Sequence, residues 1–283
     1  MASAKEIKRR ISSVTTTKQV MKAMDMVSAS KLQRAKAKLD IARPMFTETN
    51  LIIDSLRNQP DTADSALFRP REVKNTAYVV IAGDKGLCGS YNSSVMGTAL
   101  SHMNNGEKNE KLIIVGAKGW DYFRRFKKEI CHRYIGISET RYYDQAGDIG
   151  EILLQWFKSG EIDEAFVVYT HFETTLSYVP RVIKLLPIEA NTGTERVADS
   201  MGFEPDFNTF LEHTIPMYLN IIIYVAMVES VTCEHASRMT SMNAASNNAS
   251  EIIDELTLMF NRKRQATITQ EINEIVNGAN MIS

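Results

Sequence analysis

The stretch MYLNIIIYVAMVESVTCEHASRMTSMNAASNNASEIIDELTLMFNRKRQATITQEINEIVN (217–277) contains neither glycine nor proline. Those two residues punctuate turns, so their absence over this length predicts one uninterrupted helix. At 1.5 Å per residue such a helix reaches roughly 90 Å. A globular domain of this size is about half that across. The helix is therefore expected to protrude from a domain or to pass through something. Its longest apolar run, around Ile221 to Val228, is about eight residues. That is too short for a bilayer span and reads as buried helix.

Working outward, all fourteen glycines are unevenly placed: none precedes Gly83, thirteen lie between Gly83 and Gly202, and Gly278 stands alone. No proline precedes Pro44 or follows Pro216. The middle of the chain is thus a domain with many turns, flanked by two long stretches with almost none. The N-terminal stretch has a clear period. Alternating steps of four and three from Ile7 give Ile7, Ile11, Val14, Lys18, Met21, Asp25, Ser28, Leu32, Ala35, Leu39, Ala42, Phe46, Thr49, Ile53 and Leu56. Eleven of these fifteen positions are apolar in a chain that is 44% hydrophobic. A mean step of 3.5 predicts a helix wound around a partner helix. Pro44 is expected to kink this helix or end its regular part. The polar interruption at Lys18, Asp25 and Ser28 predicts a seam that is not uniformly dry.

The C-terminal stretch is the natural partner. Tyr224, Met227, Val231, Ala245, Ile252, Leu256 and Met259 fit a stripe interrupted by Glu234, Arg238 and Lys263. Ile268, Ile272, Ile275, Ala279 and Ile282 continue the four-three spacing. We expect an antiparallel pair within one chain, with segments 58–75 and 191–206 as the loop-like exits.

The middle reads as α/β. Apolar, β-branched runs at 77–82, 112–115, 130–135, 165–169 and 179–188 predict strands, with helices at about 91–103, 118–127 and 145–159. Strand–helix–strand spacing implies right-handed crossovers and a mostly parallel sheet covered on both faces. About ten residues join the last two strands, too few for a helical crossover, so they read as a hairpin. The fold class is α/β: a long antiparallel coiled coil of terminal helices plus a central Rossmann-like domain. The expected boundaries are 1–57, 76–190 and 207–283.

Composition excludes several classes. The net charge of −1 and a charged content of 24% argue against a generally basic nucleic-acid binder and a disordered acidic chain. Three cysteines far apart, Cys88, Cys131 and Cys233, rule out a disulfide scaffold and favour a reducing compartment. MASAKEIKRR lacks an apolar core after its charges, so no secretory signal is expected and the bacterial cytosol is favoured. Residues 1–43 carry eleven Lys or Arg and three acids. This basic run is either a solvated face or a surface for an acidic partner. DNA is not indicated, since no separate reading element is present. Methionines on both long helices (Met21, Met24, Met26, Met239, Met242) suit core filling, and equally a smooth, adaptable sliding contact.

The sequence carries no recognisable catalytic motif. GDKGLCGS (83–90) follows a strand and precedes a helix, where phosphate-binding glycines sit. Its G-x-x-G-x-x-G spacing matches neither nucleotide fingerprint and reads as a tight turn. Cys88 reads as a packed thiol, because no histidine adjoins it in sequence. His102, His132, His171, His213 and His235 show no metal-ligand spacing. The expected catalytic, cofactor-binding and metal residues are none, and the expected cofactor is none.

KAMDMVSASKLQRA (22–35), GDKGLCGSYN (83–92), EHASRMTSMNAASNNA (234–249) and RQATITQEINEIVNGA (264–279) together resemble the gamma subunit of F-type ATP synthases, collinearly over nearly the whole chain. Ile268, Thr269, Glu271, Glu274, Gly278 and Ala279 occupy that family's terminal pattern, whereas Asn280 and Met281 depart from it. The paired-cysteine insertion of chloroplast relatives is absent, which implies a bacterial-type subunit. The resemblance implies a single-copy, non-catalytic rotor stalk on the cytoplasmic face of the cell membrane. Its partners would be the alpha and beta subunits, the epsilon subunit and the c-subunit ring, with no nucleic acid. Met24, Arg238, Gln270, Glu271 and Glu274 would serve contact and coupling near the beta subunits. Phe203 and Glu204 would face the c ring. Two other classes stay open on the residues alone. One is a nucleotide- or phosphate-using α/β enzyme with a coiled-coil dimerisation arm. The other is a homodimeric scaffold.

Overall fold

The computed structural model describes residues 3–57, 65–103, 109–126, 128–188 and 207–280. In chain order these form α1 (Ala4–Arg57), β1 (Asn75–Ile81), α2 (Tyr91–Met103), β2 (Asn109–Val115), α3 (Ala117–Phe123), β3 (Glu129–Tyr134), α4 (Tyr142–Ser159), β4 (Glu164–Phe172), β5 (Tyr178–Leu186) and α5 (Phe207–Asn280). A single 3-10 turn, Arg124–Phe126, follows α3, so the helix expected to 127 tightens and stops early. α1 is continuous through Pro44, which is exposed. α5 likewise runs through Pro216.

The five strands form one sheet in the order β3-β2-β1-β4-β5. β1 pairs in parallel with β2 and β4, and β2 with β3. β4 and β5 form the expected antiparallel hairpin. Alternate residues serve opposite faces, as the pleat requires. Tyr78, Val80, Leu112 and Ile114 pack with Val95, Ala99 and Phe123 of α2 and α3. Ala77, Val79, Ile81 and Ile113 pack on the other side with Ile149, Leu153 and Phe157 of α4, together with Ile53 and Leu56 of α1 and Leu219 and Ile223 of α5. Burial on both faces explains why β1 and β2 are continuous apolar runs rather than alternating ones.

The chain divides into two compact units, Met1–Ala29 with Arg238–Ser283, and Ser30–Ser237. In the larger unit, Lys38 and His235 meet on Glu139, Arg43 reaches Glu229, and Ala42 and Phe46 cluster with Ile221, Tyr224 and Val225. Partners on α5 fall in number as those on α1 rise, so the pairing is antiparallel. All fifteen positions of the 3.5-residue stripe on α1 are buried or half-buried.

In the smaller unit the α5 stripe is Met242, Ala245, Ser246, Ala249, Ile253, Leu256, Phe260 and Lys263, each buried or half-buried. Ile252 and Met259, expected on the seam, are exposed. Each adjoins another large apolar residue, Ile253 and Phe260, so hydrophobicity alone did not distinguish which one faces inward. The expected continuation of the seam through Ile268, Ile272 and Ile275 is also corrected, because these side chains are exposed. α1 contributes 26 helical residues to this unit, from Ala4 to Ala29, whereas α5 offers 43, from Arg238 to Asn280. An antiparallel pair with equal rise therefore runs out of partner near Lys263. From Arg264 to Asn277 every side chain is exposed. Ala279 and Ile282 lie outside the described side chains.

An 18-residue window of α5 reaches a mean hydropathy of 1.5, enough by composition for a bilayer span, and 72% of that window is buried within the protein. That is the position of a core helix.

Candidate functional site

In an open α/β sheet, ligands bind beyond the carboxyl ends of the strands where the strand order reverses. Here that crevice lies between β1 and β4, next to the Gly83–Ser90 loop. Its polar groups are already committed. The Gly83 amide donates to Asn92 Oδ1 at 2.8 Å. The Asp84 carboxylate accepts the Ala117 amide at the start of α3 and the Gly136 amide, both at 2.9 Å. One carboxylate thus ties together the loops that follow β1, β2 and β3. A Cβ on Gly83 would sit 2.9 Å from the Glu234 carboxyl group of α5. A negative group therefore stands where a phosphate would need donors. The space left is about 40 Å³, lined by Asp84, Glu234 and three tyrosines among others. That volume suits water and nothing larger. Burial first, then nearby carboxylates including Glu234, pushes the Tyr91 and Tyr142 phenols up, so both stay neutral.

The same loop fastens the sheet domain to α5. The Ser237 hydroxyl donates to the Cys88 carbonyl at 2.6 Å and accepts from the Tyr178 hydroxyl at 2.9 Å. Cys88 is buried, and its sulfur accepts from Asn92 Nδ2 at 3.1 Å. Further along α5, Ser230 Oγ accepts the Thr170 amide at 3.3 Å, and the Cys233 thiol points at the Thr170 carbonyl at 3.5 Å. Glu229 sits almost wholly buried between Arg43 Nε at 3.0 Å and His171 Nδ1 at 2.6 Å. Arg43 Nη2 also donates to the Phe172 carbonyl. On the opposite side of the helix pair, burial alone would raise the Glu139 pKa. The Lys38 hydrogen bond and charge, with His235, outweigh that and hold it below the usual carboxylate value. Residues 229–237 of α5 thus carry a continuous polar clamp onto β4, β5 and the Gly83 loop, in addition to apolar packing. Buried bonds of this kind fix a unique geometry because leaving any one unmade is expensive.

The expected partner-contact residues lie elsewhere. Met24 is 39% exposed on α1, and its carbonyl accepts the Ser28 hydroxyl at 2.7 Å. Arg238 is half-buried on α5. Gln270 Nε2 donates to Glu274 Oε1 at 2.9 Å, one turn apart, and Glu271 is exposed beside them. These five share the smaller unit. Phe203 and Glu204 lie outside the described residues. Sequence reasoning missed Glu229 and Asp84. An isolated acid inside the apolar run IIIYVAMVESVTC was the available signal for Glu229, since such an acid must be paired.

Ile268, Ile272, Ile275 and Val276 stand in the unpaired end of α5, and Val20, Met24, Met26 and Val27 lie on the outside of α1. Large apolar side chains exposed along a helix in this way suit contact with another molecule.

Comparison with known proteins covers nearly the whole chain. The family model described as ATP synthase matches residues 3–282. The ATP synthase gamma chain of Alkaliphilus metalliredigens (strain QYMF) is 40% identical over 280 residues, covering 97% of this chain and 96% of that one. A chain in the cryo-EM structure of the Tetrahymena thermophila mitochondrial ATP synthase central stalk and c-ring is similar with a TM-score of 0.64 and 25% identity, covering 80% of this chain and 99% of that chain. A chain of the Euglena gracilis mitochondrial ATP synthase, in a structure of OSCP, F1 and c-ring, reaches a TM-score of 0.70 at 15% identity over 99% of this chain and 94% of that one, and bears on the fold. Two long terminal helices, a five-stranded domain clamped to one of them, and near-complete coverage by these relatives lead to one assignment: the chain belongs to the ATP synthase gamma chain family.

Proposed function

We propose that the chain is the central rotor stalk that couples ion-driven rotation of a membrane c ring to ATP synthesis on an alpha/beta hexamer. The observation that carries this reading is the end of α5, which outlasts its partner helix and presents Ile268, Ile272, Ile275 and Val276 to solvent beside Arg264, Glu271 and Glu274. Apolar side chains contact a changing surface without fixing a directional bond to one partner. An asymmetric shaft contacts three surrounding sites unequally, and each orientation stabilises a different conformation of each site by differential contact energy. The polar clamp along residues 229–237 fixes that segment of α5 to the sheet domain. On this reading the chain itself is non-catalytic, since the switch-point crevice holds Asp84 and Glu234 where a nucleotide phosphate would bind.

The partners follow from the same reading. Alpha and beta subunits surround the paired helices, and the epsilon subunit and c ring meet the sheet domain and the segment containing Phe203 and Glu204. The complex is peripheral on the cytoplasmic face of the cell membrane. Met24, Arg238, Gln270, Glu271 and Glu274 are contact residues for the hexamer.

The test is Met24→Lys in the assembled complex. A lysine at this half-exposed position gains a partner carboxylate in one orientation, and a charge-assisted hydrogen bond contributes about 1.5–3 kcal/mol, tenfold or more in a rate. ATP hydrolysis is expected to persist while ions pumped per ATP fall. An unchanged ratio at equal assembly yield removes Met24 from the coupling surface.

A further inference from the structure

Arg43, Tyr169, His171 and Arg181 line one groove of about 380 Å³ in the larger unit, walled by α1, the β4–β5 hairpin and α5. Apart from Thr47 and Glu229 the remaining lining is apolar and includes Ile183, Ile222 and Val225. Glu229 closes the bottom, but both of its oxygens are engaged, one by Arg43 and one by His171.

The donors are not all spent. Arg43 commits Nε and Nη2 to Glu229 and to the Phe172 carbonyl. Its Nη1 holds no hydrogen bond among the described residues. Arg181 meets Glu173 at 3.7 Å, and both side chains are nearly half exposed, so the pair is weak. The Tyr169 hydroxyl has no hydrogen-bond partner among the described residues. Burial, then the negative charge of Glu229, pushes its phenol up, so it remains an O–H donor. His171 commits Nδ1 to Glu229. With Glu229 paired to Arg43, the open groups on Arg43, Arg181 and Tyr169 are cationic or donating, and none of them is an anion.

We propose that this groove binds a small amphipathic anion, a carboxylate or phosphate monoester with a short apolar body. The head would sit on Arg43 Nη1, Arg181 and Tyr169, and the body on Ile183, Ile222 and Val225. The volume falls in the range of small-molecule pockets, roughly 300–1,000 Å³, and combines apolar walls with a few polar groups as such pockets do. An inorganic anion alone would leave the apolar wall wet. Each methylene that the ligand buries strengthens binding by up to about fourfold. This assignment does not depend on the rotary reading.

The experiment titrates the full-length chain with acetate, hexanoate, hexyl phosphate and hexylamine by calorimetry. Hexanoate and hexyl phosphate are expected to bind one-to-one and at least about tenfold more tightly than acetate. Hexylamine is expected not to bind. Arg181→Gln should weaken both anions by about tenfold, the loss of one charge-assisted bond. Tyr169→Phe removes a single hydroxyl and should weaken both in the same direction, so the proposal stays testable if Arg181→Gln fails to fold. Arg43 is left intact because its loss would strand Glu229. The proposal is overturned by any of three results. These are no saturable anion binding up to about 10 mM, far weaker than a formed site would give, hexylamine binding as well as hexanoate, or unchanged affinity in the substituted chains.

Discussion

Replacing Arg43 by methionine tests how the sheet domain is held to the two helices. Glu229 has 4% of its side chain exposed and is held by Arg43 at 2.9 Å and by His171 at 2.6 Å. Removing one partner of a buried pair typically destabilises by about 3–5 kcal/mol, because a buried charge is left under-compensated. Two features reduce that figure here. Arg43 is 40% exposed, so part of its Coulomb interaction is screened, and His171 stays in place. We expect Arg43→Met to cost about 2–3 kcal/mol. For a unit of this size each kcal/mol lowers the melting temperature by about 2–4 °C, so the first unfolding transition should fall by about 4–12 °C. Glu229→Met leaves a half-exposed guanidinium that water can reach, and should cost less. The double substitution replaces the pair with apolar groups of similar length, and should be more stable than Arg43→Met alone. Circular dichroism melts of the four chains complete the cycle. Additive losses, or a melting temperature within about 2 °C of the parent for Arg43→Met, would refute the view of this pair as a coupled buried unit.

Gly116 has φ +97, and a Cβ there would lie 2.2 Å from the Ala82 carbonyl oxygen, so Gly116→Ala is expected to abolish folding of the larger unit, read as loss of soluble yield. Gly97, inside α2 with nothing within 4 Å, is the control, and Gly97→Ala should stabilise by about 0.5–1 kcal/mol in denaturant titration. Cys233 is fully buried, and burial first, then Glu229, pushes its thiol well above the ordinary 9.0. Native alkylation at pH 8 should therefore modify Cys131 and spare Cys233 and Cys88, and equal labelling of all three by mass spectrometry would contradict the packing. The sign of the linkage follows: the unfolded thiol ionises near 9.0 while the folded one resists, so this contribution is complete below that pH and is lost as pH rises past it. A cysteine at position 203 should cross-link to a c-subunit loop, and products with alpha or beta subunits alone would move the segment off the c ring.

The helix seam of α1 was legible residue by residue, because a 3.5-residue period is a local property that any partner helix must satisfy. The five strands and the closing hairpin were legible for a related reason: β-branched runs and connection lengths leave few alternatives. Strand order was not, since it depends on which crossover each helix takes. Nor was the register of α5, where Ile252 and Ile253, or Met259 and Phe260, are equally apolar and only the position of α1 decides which turns inward. The end of the seam near Lys263 is likewise tertiary, because it is set by the length of a partner far away in sequence. The GDKGLCGS loop shows the division most clearly. Its glycine spacing already argued against a phosphate cradle, but only the fold brings Glu234, more than a hundred residues later, against Gly83. The chemistry of a crevice is the sum of groups delivered by separate elements, and no local pattern encodes that sum.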